Sequence, residues 1–204
     1  MARHPAGRAV EAAPLLFGGA ALACGLAAVA WGSLWPLLPA GFVLYGLPPL
    51  LHRIHDRIAP LERGIFPVVG PHYLPWWGSH QLQRLYIAVP LLEDVLHLIP
   101  GAFSVWLRMW GAEVGAGVVW SPGVRIVDRS LLKVGDGAIF GYGVQATAHL
   151  IAPRRGSLVL LLRPIRVGAG AVIGAEAKLG PGARVGEGAL VKALSVVAPI
   201  QVVE

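Results

Sequence analysis

Seven histidines occur in this chain, and one of them stands where a regular pattern stops. His149 lies in "GVQATAHLIAPRRG", in surroundings with few other polar residues. Imidazole is the side chain that exchanges a proton between about pH 5 and 8 without special tuning, so an isolated one at a break in a repeat is a candidate for chemistry. The competing reading is a surface or core histidine satisfied by one hydrogen bond. The single cysteine, Cys24, sits inside an apolar run. It can build neither an intrachain disulfide nor a zinc cluster, which allows a reducing compartment.

The pattern that breaks has a period of six. Val167, Ile173, Leu179, Val185, Val191 and Val197 stand six apart, Gly168, Gly174, Gly180 and Gly186 follow the first four, and Ala171, Ala177, Ala183, Ala189 and Ser195 complete the motif. Six fits neither a helix nor an ordinary strand. It is the period of a hexapeptide β-helix, three hexads to a turn. The aliphatic residue of each hexad then points inward and stacks on its counterpart 18 residues earlier, with coils about 4.8 Å apart because their backbones pair as parallel strands. Small residues at the corners accommodate unusual backbone angles. A dinucleotide fingerprint is excluded, since that motif occurs once, between a strand and a helix.

Upstream the ruler continues with defects. Val114, Trp120 and Ile126 form one set and Val134, Phe140 and Ala146 another, with two extra residues near Arg129–Ser130. From Ala146 to Val167 the register breaks by 21 residues rather than 18, which predicts a loop within Thr147–Pro164. The expected fold is mainly β: about four coils over residues 114–204. Such coils need a capped end and sideways contacts, which predicts a homo-oligomer.

The front of the chain differs. Mean hydropathy is +0.64 with 14% charged residues, and no charged side chain occurs from Ala12 to Leu51. Forty residues make about 60 Å of helix, two passes of a hydrocarbon core of about 30 Å. The expected anchor, residues 1–57, is a helical hairpin (about 12–31 and 34–51) broken at Gly32–Ser33, with Trp31 and Trp35 in an interface belt and Pro36 opening the second helix. Arg3, Arg8, Arg53 and Arg57 flank it, placing both ends in the cytoplasm. A re-entrant hairpin and a cleaved signal peptide are the other readings. Residues 58–113 form a connector with helices expected at His80–Ala88, Leu91–Leu98 and Phe103–Trp110, lying at the interface or capping the first coil. Trp106 and Trp110 share one helix face. Net charge is +6. No clustered Lys/Arg with interleaved aromatics points to nucleic acid; anionic lipid headgroups account for the charge more simply.

"GVQATAHL", a loop and then "IRVGAGAVIGAEAKLGPGARVGEGALVKALSVV" resemble the hexapeptide-repeat acyltransferases, the left-handed β-helix family, whose soluble acetyltransferases have a similar "TATH" element. The entry "WLRMWGAEVGAGVVWSPGVRI", continuing through "VGDGAIFGYG", is similar too. With the apolar front included, the chain more closely resembles the acyltransferase-like module that ends some nonribosomal peptide synthetase-like proteins of the polylysine-synthetase type. The resemblance covers about residues 103–200.

It implies a left-handed parallel β-helix and a trimer with sites between subunits, while the apolar run and its basic flanks lead to the expectation of an inner-membrane location with a cytoplasmic catalytic domain. His149 would be the general base that takes a proton from an acceptor hydroxyl or amine. No cofactor is held tightly and no metal is implied; the co-substrate is acyl-coenzyme A or a carrier thioester. Gly168 or Gly174 would offer a backbone N–H to the oxyanion. Lys178, Arg184 and Lys192 would meet the donor's phosphates, and Arg154 and Arg155 an anionic, small-molecule or lipid-linked acceptor; solvated surface charge is the plainer reading of all five. Family members often orient the histidine with a carboxylate. Here Asp136 and Glu176 stand 13 and 27 positions from His149, and an 18-residue offset places neither above it. Its orientation is therefore expected to fall to a backbone carbonyl or to nothing. Two alternatives remain: a non-catalytic membrane scaffold, and the metal-dependent hydratase of the same fold, which is set aside because it needs three histidine ligands.

Overall fold

The computed structural model describes residues 10–69 and 72–204, so Arg3 and Arg8 lie outside the described residues. The chain divides into two compact units, one formed by the described residues up to Leu61 with Val69–Val89, the other by Glu62–Val68 and Pro90–Glu204. The expected connector is thus shared: its first helix groups with the N-terminal helices and the next two with the coils.

Prolines and glycines set the breaks in the first unit. Helix α1, Ala13–Trp31, stops where Gly32 turns left-handed at φ 59°, a C-cap conformation that glycine enters without a Cβ clash. Trp31 and Trp35 stack across this break with centroids 5.4 Å apart. Pro36 then leads into α2, Leu37–Gly41. Where a helix ending near Leu51 is expected, α2 instead runs through a π-helical turn, Phe42–Gly46, into α3, Leu47–Ile58. Pro48 and Pro49 carry no N–H, so the Leu44 carbonyl has no helical partner four or five residues on. The Tyr86 hydroxyl supplies the donor. After strand β1, Gly64–Pro67, which belongs to the second unit, helix α4 spans Pro75–Ala88. It begins five residues before the expected start because Pro75 is preorganised for the first helical turn. His52 Nε2 to Ser79 Oγ (2.9 Å) joins α3 to α4, and His55 Nε2 meets the Tyr73 hydroxyl at 2.7 Å.

In the second unit, α5 (Leu91–His97) and α6 (Ala102–Trp110) precede the coils. Phe103, Trp106, Leu107 and Trp110 are buried. Phe103 stands edge-on to Trp120, 5.3 Å between centroids, and Trp120 Nε1 donates to Ser104 Oγ at 2.8 Å. Helix α6 therefore caps the first coil. Trp106 and Trp110 do share its inner face, meeting edge to face at 5.8 Å.

The period of six becomes three parallel ladders that the chain visits in rotation. The first contains β2 (Glu113–Val114), β5 (Leu132–Val134), β10 (Ile165–Val167), β13 (Arg184–Val185) and β16 (Val202–Val203). The second contains β3 (Val119–Trp120), β6 (Ile139–Phe140), β11 (Val172–Ile173) and β14 (Leu190–Val191). The third contains β4 (Arg125–Ile126), β7 (Gln145–Ala146), β12 (Lys178–Leu179) and β15 (Val196–Val197). Inward residues stack in register: Val134 on Val167 on Val185, Phe140 on Ile173 on Val191, Ala146 on Leu179 on Val197.

The glycine after each aliphatic residue is there for proximity, not for its backbone angles. A Cβ on Gly174 would lie 2.4 Å from the Ala193 nitrogen one coil on. The left-handed corner falls two residues later in each hexad, and at three such corners Glu176, Leu194 and Ile200 adopt it despite their side chains.

Both register defects leave the coil at the same kind of corner, between the third ladder and the first. The two extra residues form a short 3-10 turn, Arg129–Leu131, and β2 to β5 is accordingly a 20-residue step, Glu113 to Lys133. The second defect is larger than the expected three residues: Ala146 and Val167 lie on consecutive sides of the coil, six positions apart in a regular repeat, and Arg166 pairs with Lys133, 33 positions back instead of 18. The excess is no irregular loop. It is a hairpin of β8 (His149–Arg154) and β9 (Ser157–Leu162). Arg155 and Gly156, at φ 49° and 79°, make its two-residue turn, the backbone twist that suits a tight hairpin. Strand β1 adds antiparallel to β9.

Two substitutions test these contacts. Tyr86→Phe orphans the Leu44 carbonyl and is expected to destabilise the protein by about 1–3 kcal/mol in thermal unfolding. Gly174→Ala forces a Cβ against backbone and is expected to lower stability by about 1–3 kcal/mol, with circular dichroism melting as the measurement.

Candidate functional site

The corner that releases both insertions brings one carboxylate to one imidazole. Asp128 follows β4 by two residues and His149 follows β7 by three, so the two occupy successive coils. Asp128 is 4% exposed, and its Oδ2 accepts the Ala148 N–H at 2.9 Å. The same oxygen lies 2.7 Å from His149 Nδ1. An ionised carboxylate only accepts, so Nδ1 carries the hydrogen, and in the neutral ring Nε2 is then the acceptor. The His149 side chain is 17% exposed, which leaves the ring within reach of a small reactant. A buried carboxylate on a partly exposed imidazole is an arrangement that can exchange a proton near neutral pH.

The expectation that no carboxylate orients His149 is therefore corrected. Asp136 Oδ1 accepts the Ala116 N–H at 2.7 Å, and Glu176 occupies a left-handed corner. Asp128 does the orienting from 21 positions upstream. The signal was present in the sequence. Two extra residues near Arg129–Ser130 lengthen that coil to 20, and a 20-residue offset carries Asp128 to Ala148, next to His149.

The remaining expected residues are spread over the coil. Gly168 N–H donates to Val185 O and Gly174 N–H to Val191 O, each at 2.8 Å. Neither amide has a hydrogen left for an oxyanion, because the inter-coil ladder already uses it. Lys178 points outward from the third ladder beside Gln145, and Lys192 follows β14 at the next corner. Arg184 stands on the first ladder in register with Arg166 and, through it, Lys133. Lys133, Arg166 and Arg184 line a shallow groove of about 440 Å³ whose rim includes Glu113 and Glu187, and neither Lys178 nor Lys192 borders it. Arg154 and Arg155 sit at the hairpin tip, five residues or about 16 Å along the strand from His149.

Helix α5 grips the same coil from outside. Arg125 donates to both Asp94 oxygens, at 2.8 and 3.0 Å, and those bonds hold its guanidinium above the usual arginine range. Arg129, next to Asp128, pairs with Glu93 at 2.5 Å.

No family model matches the chain, and no curated protein matches it. Among solved structures it is similar to a hexapeptide-repeat-containing acetyltransferase from Vibrio cholerae, with 13% identity, TM-score 0.36, and coverage of 57% of this chain and 85% of the other. It is also similar to serine acetyltransferase isoform 3 from Entamoeba histolytica, solved in complex with cysteine, with 14% identity, TM-score 0.22, and coverage of 93% and 69%. Likeness at this level carries no weight for activity, and the chemistry rests on the geometry around His149.

Proposed function

We propose that this chain is a membrane-anchored acyltransferase built on a left-handed β-helix and working as a homotrimer. The observation that supports it is the Asp128–His149 contact at a coil corner. In the proposed reaction His149 Nε2 takes the proton from an acceptor hydroxyl or amine. The freed oxygen or nitrogen attacks the thioester carbonyl of acyl-coenzyme A or a carrier-bound acyl group. The tetrahedral intermediate expels the thiolate as the C–S bond breaks, and the imidazolium returns the proton to sulfur. Asp128 holds the ring in the required tautomer and stabilises the imidazolium while it lasts.

Helix α1 supports the anchoring. Its 19 residues have mean hydropathy 1.9 in the most apolar window and extend about 28 Å, close to a hydrocarbon core of about 30 Å. Leu15, Leu22, Leu26 and Val29 on it are each more than 60% exposed, a surface suited to lipid rather than water. The bilayer would be the inner membrane, with the coils on the cytoplasmic side. The protein is expected to stay with the membrane fraction through an alkaline carbonate wash; release into the supernatant would remove the anchor.

The catalytic reading is tested by turnover of an acyl-coenzyme A pool, assayed as free thiol with hydroxyl and amine acceptors. His149→Ala is expected to lower the rate by about 10²–10⁴. Asp128→Asn is expected to lower it by about tenfold or more, since an amide can donate to Nδ1 and impose the wrong tautomer. Equal rates for wild type and His149→Ala would remove the imidazole from the reaction. A purified protein that binds no thioester but retains a partner protein would favour the scaffold reading.

A further inference from the structure

The two residues that lengthen the Asp128 coil have no place in a ladder, so something else must hold them. The turn itself contributes one backbone bond, Leu131 N–H to Asp128 O at 3.0 Å. Ser130 gives it nothing, since its buried hydroxyl has no hydrogen-bond partner. Arg129 is different. It is 1% exposed, an unusual place for a guanidinium. Its Nε and Nη2 reach Glu93 Oε1 at 3.1 and 2.5 Å, and Glu93 is itself 1% exposed. The guanidinium carbon lies 5.0 Å from the Trp106 ring centroid and 5.6 Å from that of Trp110, within cation–π range of both.

A buried ion pair is a poor source of stability, because well-packed apolar residues often serve as well once both charges are gone. What it supplies is one geometry. Two rings lie within cation–π range of the guanidinium and Glu93 Oε1 accepts from both Nε and Nη2, so the head of the side chain is held from more than one direction.

From this we infer that Arg129 is a positioning residue for the His149 imidazole, acting through the adjacent Asp128. The peg into α5 and α6 sets the backbone of the inserted turn. That backbone sets where Asp128 Oδ2 lies, and Oδ2 selects the Nδ1–H tautomer. Only the kinetic half of the test rests on the acyltransferase reading.

Arg129→Met alone would leave Glu93 buried without its partner and can unfold the protein. The variant to use is Glu93→Leu/Arg129→Met, which removes both charges and keeps the volume. The full chain, labelled with ¹⁵N-histidine in detergent, reports the His149 tautomer, the signal being assigned by its loss in His149→Ala. Wild type is expected to show one Nδ1–H species, and the folded double variant a mixture of both tautomers. In the thiol-release assay kcat is expected to fall by about tenfold to a hundredfold, as misplacement of a reacting group does, with KM changed less than about twofold. Adding Asp128→Asn to the double variant is expected to cause no loss beyond that of Asp128→Asn alone, the signature of residues acting as one unit. A single Nδ1–H species and unchanged kcat in the folded double variant would overturn the inference, as would losses that multiply with Asp128→Asn. Were wild type to transfer no acyl group, the tautomer measurement would decide alone.

Discussion

Successive coils sit about 4.8 Å apart because their backbones pair as parallel strands, and an added residue inside a ladder would unstack every inward side chain beyond it. Extra chain must therefore leave at a corner. In this protein both excesses leave where the third ladder passes to the first, on neighbouring coils. The smaller one places Asp128 and the larger one begins at His149. The 2.7 Å contact between them follows from that coincidence, since two residues 21 apart would otherwise lie out of line. The same spacing sets the composition of the repeat. Gly174 is glycine because the next coil's backbone would occupy the volume of a Cβ.

A solenoid exposes its inner stack at the ends, and here an aromatic helix covers the first coil. The rings that close the end also form the chamber around Arg129. Cap and site thus share a wall, and the helices before the repeat belong to the architecture of the corner. Their grip is electrostatic at two places four residues apart, Asp94 on Arg125 and Glu93 on Arg129.

The first unit obeys a different constraint. A part-buried backbone carbonyl needs a donor, and two adjacent prolines remove both helical donors that could reach Leu44. The π-helical turn and the Tyr86 hydroxyl resolve the deficit together. A side chain 42 residues away completes a backbone hydrogen bond that the local sequence cannot make.

Much of this was legible in the residues. The period of six identified the coil, the excess at Arg129–Ser130 located one corner, the connector helices fell close to their observed spans, and His149 stood out at the break. These are local properties: spacing, polarity and helix-breaking residues act over a few positions. Asp128 escaped because an 18-residue offset was applied to a coil of 20. The hairpin escaped because its strands draw their regularity from each other and from β1, not from the repeat. Sequence alone determined that the chain would stack and where it would fail to. Which carboxylate met which imidazole was decided only in three dimensions, because that contact depends on where the surplus residues are extruded and on what, in Arg129, holds them there.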